Sequence, residues 1–149
     1  MYNLNITNMT LNDLESIKIN LIKDFDDFWS AETLEDELAN RSSKYIVAKD
    51  SQNNVLGFAG IWNGVYDFHI TNIVVRKDLR NQGIGSSLLK KLIKIAKQSK
   101  MESLTLEVMC TNTSAIKLYE KFGFKNVGFR KNYYKGLYDA YIMTLKLNV

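Results

Sequence analysis

The sequence predicts a mixed α+β fold with the element order β-α-α-β-β-β-α-β-α-β-β. Three observations carry that prediction. Runs of period-two alternation and of helical spacing follow one another in that order. Asn63-Gly64 marks a hairpin between two neighbouring strands. One long amphipathic helix separates the fourth strand from the fifth, and a helix-bearing crossover of that kind joins parallel strands.

The elements follow in order. "YNLNIT" (2–7) alternates and reads as the first strand. Thr10 to Asp13 has a capping-box pattern, and Leu11, Leu14, Ile17, Leu21 and Ile22 keep helical spacing behind it. Ser30 is placed to cap a second helix carrying Ala31, Leu34 and Leu38. "KYIVAK" (44–49) and "VLGFAGIW" (55–62) are strands around the turn "DSQNN". The Asn63-Gly64 turn then leads into "VYDFHITNIVV" (65–75). Ile84, Leu88, Leu89, Leu92, Ile93 and Ala96 keep a 3.6-residue period and form the long helix. "SLTLEVM" (103–109) is the fifth strand. "NTSAIKLYEKFGF" (112–124) is a short helix with Ala115, Leu118, Tyr119 and Phe122 on one face and Gly123 at the C′ position. "KNVGFRKNYY" (125–134) and "YDAYIMTLKL" (138–147) close the fold as two strands.

Composition narrows the classes. The 149 residues are 46% hydrophobic and 24% charged, which predicts one globular domain spanning 1–149 with a sizeable core. No apolar run approaches the roughly 18 residues that cross a membrane, and "MYNLNITNMT" lacks a secretory pattern. The single cysteine, Cys110, has no internal disulfide partner. A cytoplasmic protein is the expectation. The net charge of +4 favours acidic ligands, but its lysines are scattered as on solvated helix faces.

Gly83 and Gly85 stand where the long helix begins, a place that usually holds Ser, Thr, Asp or Asn. A P-loop is excluded because no Gly-Lys-Ser/Thr follows, and a dinucleotide fingerprint because Leu88 replaces its third glycine. A strand-loop-helix site remains, in which backbone N–H groups and the helix dipole hold a pyrophosphate. Missing Cβ atoms at 83 and 85 let phosphate approach, and Arg80 adds a positive charge.

The stretch "TNIVVRKDLRNQGIGSSLLKKLI", with its R-x-x-G-x-G loop, is similar to the acetyl-coenzyme A motif of the GCN5-related N-acetyltransferases (GNAT). "LTLEV" and "N-x-x-A-I-x-L-Y-x-x-x-G-F" agree in order and spacing, so the resemblance covers essentially the whole chain. "ITNIVV", "LEV", "AIKLYEKFGF" and "RKNYY" followed by "DAYIM" resemble the RimI-type branch, which acetylates the N-terminal alanine of a ribosomal protein. "FWS" (28–30) is similar to that branch's Pro-Trp-Ser, with Phe28 in place of the proline. Tyr138 stands where an acidic residue commonly precedes the Asp.

The resemblance implies the GNAT fold: a mixed, mostly antiparallel sheet with helices on both faces. It implies acetyl-CoA as cosubstrate, lying where strands four and five splay apart, with the acceptor entering from the opposite face. Backbone groups of Ile73, Val74 and Val75 would hold the pantetheine arm. The loop Arg80, Asn81, Gln82, Gly83, Ile84, Gly85 and Ser86 would hold the pyrophosphate, and Asn112 would add a contact besides capping its helix. Glu107, a carboxylate interrupting an apolar strand, takes the general-base position, and Tyr119 the general-acid position. The implied partner is the N-terminal peptide of a protein, ribosomal in this branch. Neither nucleic acid nor a membrane is required, and the chain is expected to be a monomer or weak dimer.

Rival readings are a GNAT enzyme for a polyamine or aminoglycoside, and an acetyl-CoA sensor without turnover. Glu107 and Tyr119 together disfavour the sensor, since binding alone needs neither. A Cys110–His69 nucleophile is disfavoured, because Cys110 follows an apolar strand and the sequence offers His69 no orienting partner. One His and one Cys complete no metal site. Tyr133 and Tyr134 read as a peptide-binding wall. Trp29 either lines that groove or anchors the second helix.

Overall fold

The computed structural model describes residues 3–27, 29–134 and 136–147. Tyr2, Phe28 and the side chain of Tyr134, each part of the sequence reading, lie outside that description. The strands are β1 (Asn5–Asn8), β2 (Ser43–Lys49), β3 (Val55–Asn63), β4 (Asp67–Val75), β5 (Ser103–Met109), β6 (Lys125–Tyr134) and β7 (Tyr138–Lys146). They form one sheet in the order β1-β2-β3-β4-β5-β7-β6. Every neighbouring pair is antiparallel except β4 and β5. The helices are α1 (Leu11–Ile17), α2 (Leu21–Asp24), α3 (Ala31–Ala39), α4 (Ile84–Gln98) and α5 (Thr113–Lys121). The α+β class, the element order and the parallel crossover through α4 are as the sequence predicts.

Apolar residues on the two faces of the sheet build two cores. On one face Leu88, Leu89, Leu92 and Ala96 of α4 pack with Tyr119 and Phe124 on Phe68, Ile70, Leu104, Leu106 and Val108. On the other, Leu14, Leu21, Phe25 and Leu34 pack on Tyr45, Val47, Phe58 and Val74. Strand alternation decides what remains: Glu107 lies between inward Leu106 and Val108, and His69 between Phe68 and Ile70. Both therefore face the α1–α3 side of the sheet, whereas Tyr119 belongs to the α4–α5 side.

Two local expectations are corrected. The helix spaced over Leu11 to Ile22 is interrupted by a 3₁₀ turn at Lys18–Asn20. Ile17, Ile19 and Asn20 are weak helix formers. The tighter turn leaves Ile19 95% exposed while Leu21 and Phe25 drop into the core. The β3–β4 hairpin exists, but Asn63 belongs to β3 and its turn is wider than two residues. Gly64 N–H donates to Asp67 O at 2.8 Å, and neither Asn63 nor Gly64 has a positive φ. Gly64 is explained by room, because a Cβ there would fall 2.5 Å from Asp67 Oδ1.

The capping box at Thr10 is present: Asp13 N–H donates to Thr10 Oγ1 at 3.2 Å, and Thr10 N–H donates to Asp13 Oδ2 at 2.9 Å. Lys49 Nζ lies 2.6 Å from Asp13 Oδ1 and ties α1 to β2. Burial by itself would raise the Asp13 carboxyl. The hydrogen bonds from Lys49 and Thr10 outweigh it and hold the group below its ordinary value.

Candidate active site

The site begins where the sheet opens. β4 and β5 are in register from Asp67–Ser103 to Ile70–Leu106, and the pairing ends there. Thr71, an extra residue opposite the Gly60–Ile61 step of β3, bulges β4 at that point. The Thr71 hydroxyl lies 3.1 Å from that of Tyr45, whose ring crosses over Gly60. Asn72 Oδ1 is buried beside it, without a hydrogen-bond partner among the described residues.

Beyond the bulge, β4 keeps only its β3 neighbour. Arg76 N–H donates to Leu56 O at 2.9 Å, so in this antiparallel register Val74 is the next residue bonded to β3. The backbone groups of Ile73 and Val75 then point away from β3, into the gap that β5 has left. Of the three backbone positions singled out in the sequence, Ile73 and Val75 can serve a ligand; the ladder claims Val74. The Val75 carbonyl already accepts from Arg80 Nε at 3.2 Å.

A cleft of about 410 Å³ continues from this gap to the start of α4 and along α5. It is lined by Ile73, Val74, Val75, Arg80, Asn81, Gly83, Ile84, Gly85, Ser86, Asn112 and Tyr119. Gln82 is exposed and does not line it. Leu79, Ala115 and Leu118, apolar positions inside the quoted motifs, also line it, as do Asp26 and Ser114, which no motif had marked.

Gly83 precedes α4 with φ +87°, the left-handed region that favours glycine. Space is not the reason for glycine there, since a Cβ would meet nothing within 4 Å. At Gly85 a Cβ would lie 3.7 Å from the Leu118 and Val75 side chains, both on the cleft wall. Ile84, Gly85 and Ser86 form the first turn of α4, whose N–H groups have no intrahelical acceptor and suit an anion. Arg80 does more than add charge. Its Nη2 donates to Phe25 O at 3.0 Å, so the guanidinium ties the loop to the backbone at both ends. These features fit an extended ligand with amide groups and a pyrophosphate, as acetyl-CoA has.

Asn112 caps α5, its Oδ1 accepting from Ala115 N–H at 3.3 Å, and it also lines the cleft. Tyr119 is held by the end of the same helix. Phe124 N–H donates to Tyr119 O and Gly123 N–H to Glu120 O, both at 3.0 Å, with Gly123 at φ +95°: a Schellman closure. The Tyr119 ring lies 5.7 Å from that of Phe124, and burial pushes its phenol up to about 12.

Glu107 stands on the far face, one residue past the last β4–β5 pair. Its side chain is 7% exposed; Oε2 lies 2.7 Å from His69 Nε2 and Oε1 3.4 Å from Arg130 Nε. Burial opposes ionisation, but the His69 hydrogen bond and the nearby Arg130 outweigh it and hold the carboxyl below its ordinary value. His69 therefore does have an orienting partner, contrary to the sequence reading, and that partner is Glu107. Its ring also stacks on Trp62 at 5.9 Å, and Trp62 on Trp29 at 6.3 Å. Trp62 Nε1 donates to Glu37 Oε2 at 3.0 Å, and the Arg130 guanidinium lies 5.4 Å from the Tyr133 ring centre. Only the strand register, which motif reading does not supply, could have brought His69, Trp62 and Arg130 to Glu107.

A family model described as Acetyltransferase (GNAT) family matches residues 14–124. The chain belongs to that family. It is an acetyl-CoA-dependent N-acetyltransferase. A Bacillus subtilis (strain 168) protein assigned as a ribosomal protein bS18-alanine N-acetyltransferase is 31% identical over 144 residues, 96% of this chain and 95% of its own. The crystal structure of the Escherichia coli ribosomal-protein-S18-alanine N-acetyltransferase is similar, with TM-score 0.87 and 28% identity over 98% of this chain and 95% of that one. A GNAT family acetyltransferase from Elizabethkingia anophelis with acetyl-CoA bound has TM-score 0.77 and 28% identity, over 97% of this chain and 99% of that one. Among the described residues of this GNAT enzyme no helix is long and apolar enough to cross a membrane.

Proposed function

We propose that this GNAT enzyme acetylates the N-terminal α-amino group of a protein that begins with alanine, the N-terminus of a ribosomal protein in particular. Transfer is direct, in a ternary complex. Acetyl-CoA occupies the cleft from the α4 first turn to the β4–β5 gap, held by Arg80, Asn81, Gly83 to Ser86, Asn112 and the backbone of Ile73 and Val75. The acceptor enters from the α1–α3 side, toward Glu107.

Glu107 carries the base function and Tyr119 the acid function. The amine attacks the thioester carbonyl, its proton passes toward the carboxylate, and the departing thiolate takes a proton from the phenol. The observation that carries this reading is the position of the two groups on opposite faces of the sheet, beside the gap where β4 and β5 part. An ionised carboxylate on one side and a phenol that keeps its proton on the other give each step its partner.

The choice of amine follows from acidity. An α-amino group has an unperturbed pKa of about 7.7–8.0 against about 10.4 for lysine, so near neutrality roughly a tenth of α-amines is neutral but under roughly 0.1% of lysine amines. A carboxylate held below its ordinary value is a modest base, adequate for the first and poor for the second. The likeness to the Escherichia coli alanine N-acetyltransferase supports the same choice. A competition assay offering an alanine-starting peptide, a blocked peptide with one internal lysine, and spermidine tests it. The alanine peptide should have the highest kcat/KM; a higher value for lysine or spermidine sinks the N-terminal assignment.

A further inference from the structure

We infer that His69 is the group on which the acceptor amine's proton comes to rest, while Glu107 stays ionised as its partner. This rests on the reading of Glu107 as the base side of the reaction and names the atom that completes it. Both carboxylate oxygens of Glu107 are engaged, Oε2 by His69 at 2.7 Å and Oε1 by Arg130 at 3.4 Å. A carboxylate so engaged exercises its base function through the imidazole it holds, by stabilising the cation that forms there.

His69 has the complementary property. With Nε2 donating to Glu107, the neutral ring carries its lone pair on Nδ1, which has no hydrogen-bond partner among the described residues. The ring is not loose: the carboxylate holds one edge and the Trp62 indole covers a face at 5.9 Å. Trp62 is itself fixed by its hydrogen bond to Glu37. His69 lies opposite Thr105, one pair before the β4–β5 gap opens, with 29% of its side chain open to solvent. The site thus contains a carboxylate-oriented imidazole, the arrangement that makes histidine an effective proton acceptor.

The charged and titratable groups around the ring come from several elements. Glu107 faces it from β5, and Arg130, beside the Tyr133 ring, reaches Glu107 from β6. Glu37 approaches from α3 through Trp62, Tyr45 of β2 reaches Thr71 two residues along, and Asp67 shares the strand face. In the step itself the amine nitrogen forms its bond to the thioester carbon, and the N–H proton passes to His69 Nδ1, directly or through water. The resulting imidazolium is held by the Glu107 carboxylate. The carbon–sulfur bond then breaks, its electron pair leaves on sulfur, and sulfur takes the Tyr119 proton. The count closes when His69 loses its proton to solvent and Tyr119 regains one.

His69→Gln in the full chain tests this, assayed beside wild type on the alanine-starting peptide. Glutamine keeps a donor for Glu107 but has no nitrogen that takes a proton near neutrality. The expected result is a loss of about 10²–10⁴-fold in kcat, with acetyl-CoA affinity unchanged by calorimetry. Wild-type kcat in His69→Gln overturns the inference and leaves His69 as a support for Glu107 alone. Should the glutamine variant fail to fold, His69→Ala takes its place. Added imidazole should then restore turnover in step with its unprotonated fraction, and a folded, acetyl-CoA-binding Ala variant that imidazole does not revive overturns the inference equally. A wild-type enzyme that ignores the peptide reveals a wrong acceptor instead, and the comparison moves to the amine it does use.

Discussion

Tyr119 is the residue whose position and acidity are both set by its neighbours. Burial pushes its phenol up to about 12, so it holds its proton at every pH at which the protein is expected to work. The Schellman closure at Gly123 and Phe124 fixes its carbonyl, and the ring packs on Phe124 at 5.7 Å. Phenylalanine fills the same space, so Tyr119→Phe should leave the melting temperature and acetyl-CoA affinity unchanged. In the acid role proposed above the hydroxyl is used only when the thiolate leaves, so kcat should fall by about 10²–10⁴-fold. Steady-state kinetics with a parallel binding titration check both halves, and an unaltered kcat would reduce Tyr119 to a packing residue.

At the scale of the element, the start of α4 separates two uses of glycine that look alike in the sequence. Gly83 is required by its φ of +87°, whereas Gly85 borders the cleft with room for a Cβ. Gly83→Ala should therefore cost about 1–2 kcal/mol of stability for the left-handed backbone. Gly85→Val should keep stability but weaken acetyl-CoA binding by roughly tenfold or more, about 1.4 kcal/mol. Denaturant titration and calorimetry on both variants read the two effects apart; equal affinity in folded Gly85→Val would remove that position from the site. Such a division was out of reach for motif reading, which sees G-x-G and no dihedral angles. The helix itself was legible, since Leu88, Leu89, Leu92 and Ala96 keep its period and are all buried. The break at Lys18–Asn20 was not, because the apolar spacing from Leu14 to Leu21 suits a continuous helix and a broken one alike.

For the whole molecule, acid stability depends on the link between its first helix and its sheet. Asp13 is buried, bonded to Lys49 and Thr10, and held below its ordinary value. A carboxyl depressed in the folded state stabilises fully above its unfolded pKa of about 3.9 and loses that contribution as pH falls through the folded value. Melting temperature should therefore fall as pH drops below about 4, and Asp13→Asn should be less stable at neutrality with a shallower acid slope. Melts by circular dichroism from pH 7 downward test this; parallel curves for the two proteins would dissociate Asp13 from acid unfolding. Glu107, Asp50 and Asp78 shift in the same direction and share the slope that remains. The global order of elements was legible because alternation, helical period and caps are local signals. The groups around Glu107 were not, because His69 on β4, Trp62 on β3 and Arg130 on β6 meet only through strand pairings that are long-range in sequence.

One of those pairings bears on how the protein is made. The last strand, β7, sits between β5 and β6, so β5 has no partner on that side until residues 138–146 exist. During synthesis the strand that carries Glu107 is an open edge, with β4 along only its first four residues. Open edges invite pairing with other chains. The strand that carries Glu107 thus waits for its outer neighbour until residues 138–146 follow, and the arrival of β7 closes both the interior of the sheet and the wall on which Glu107 stands.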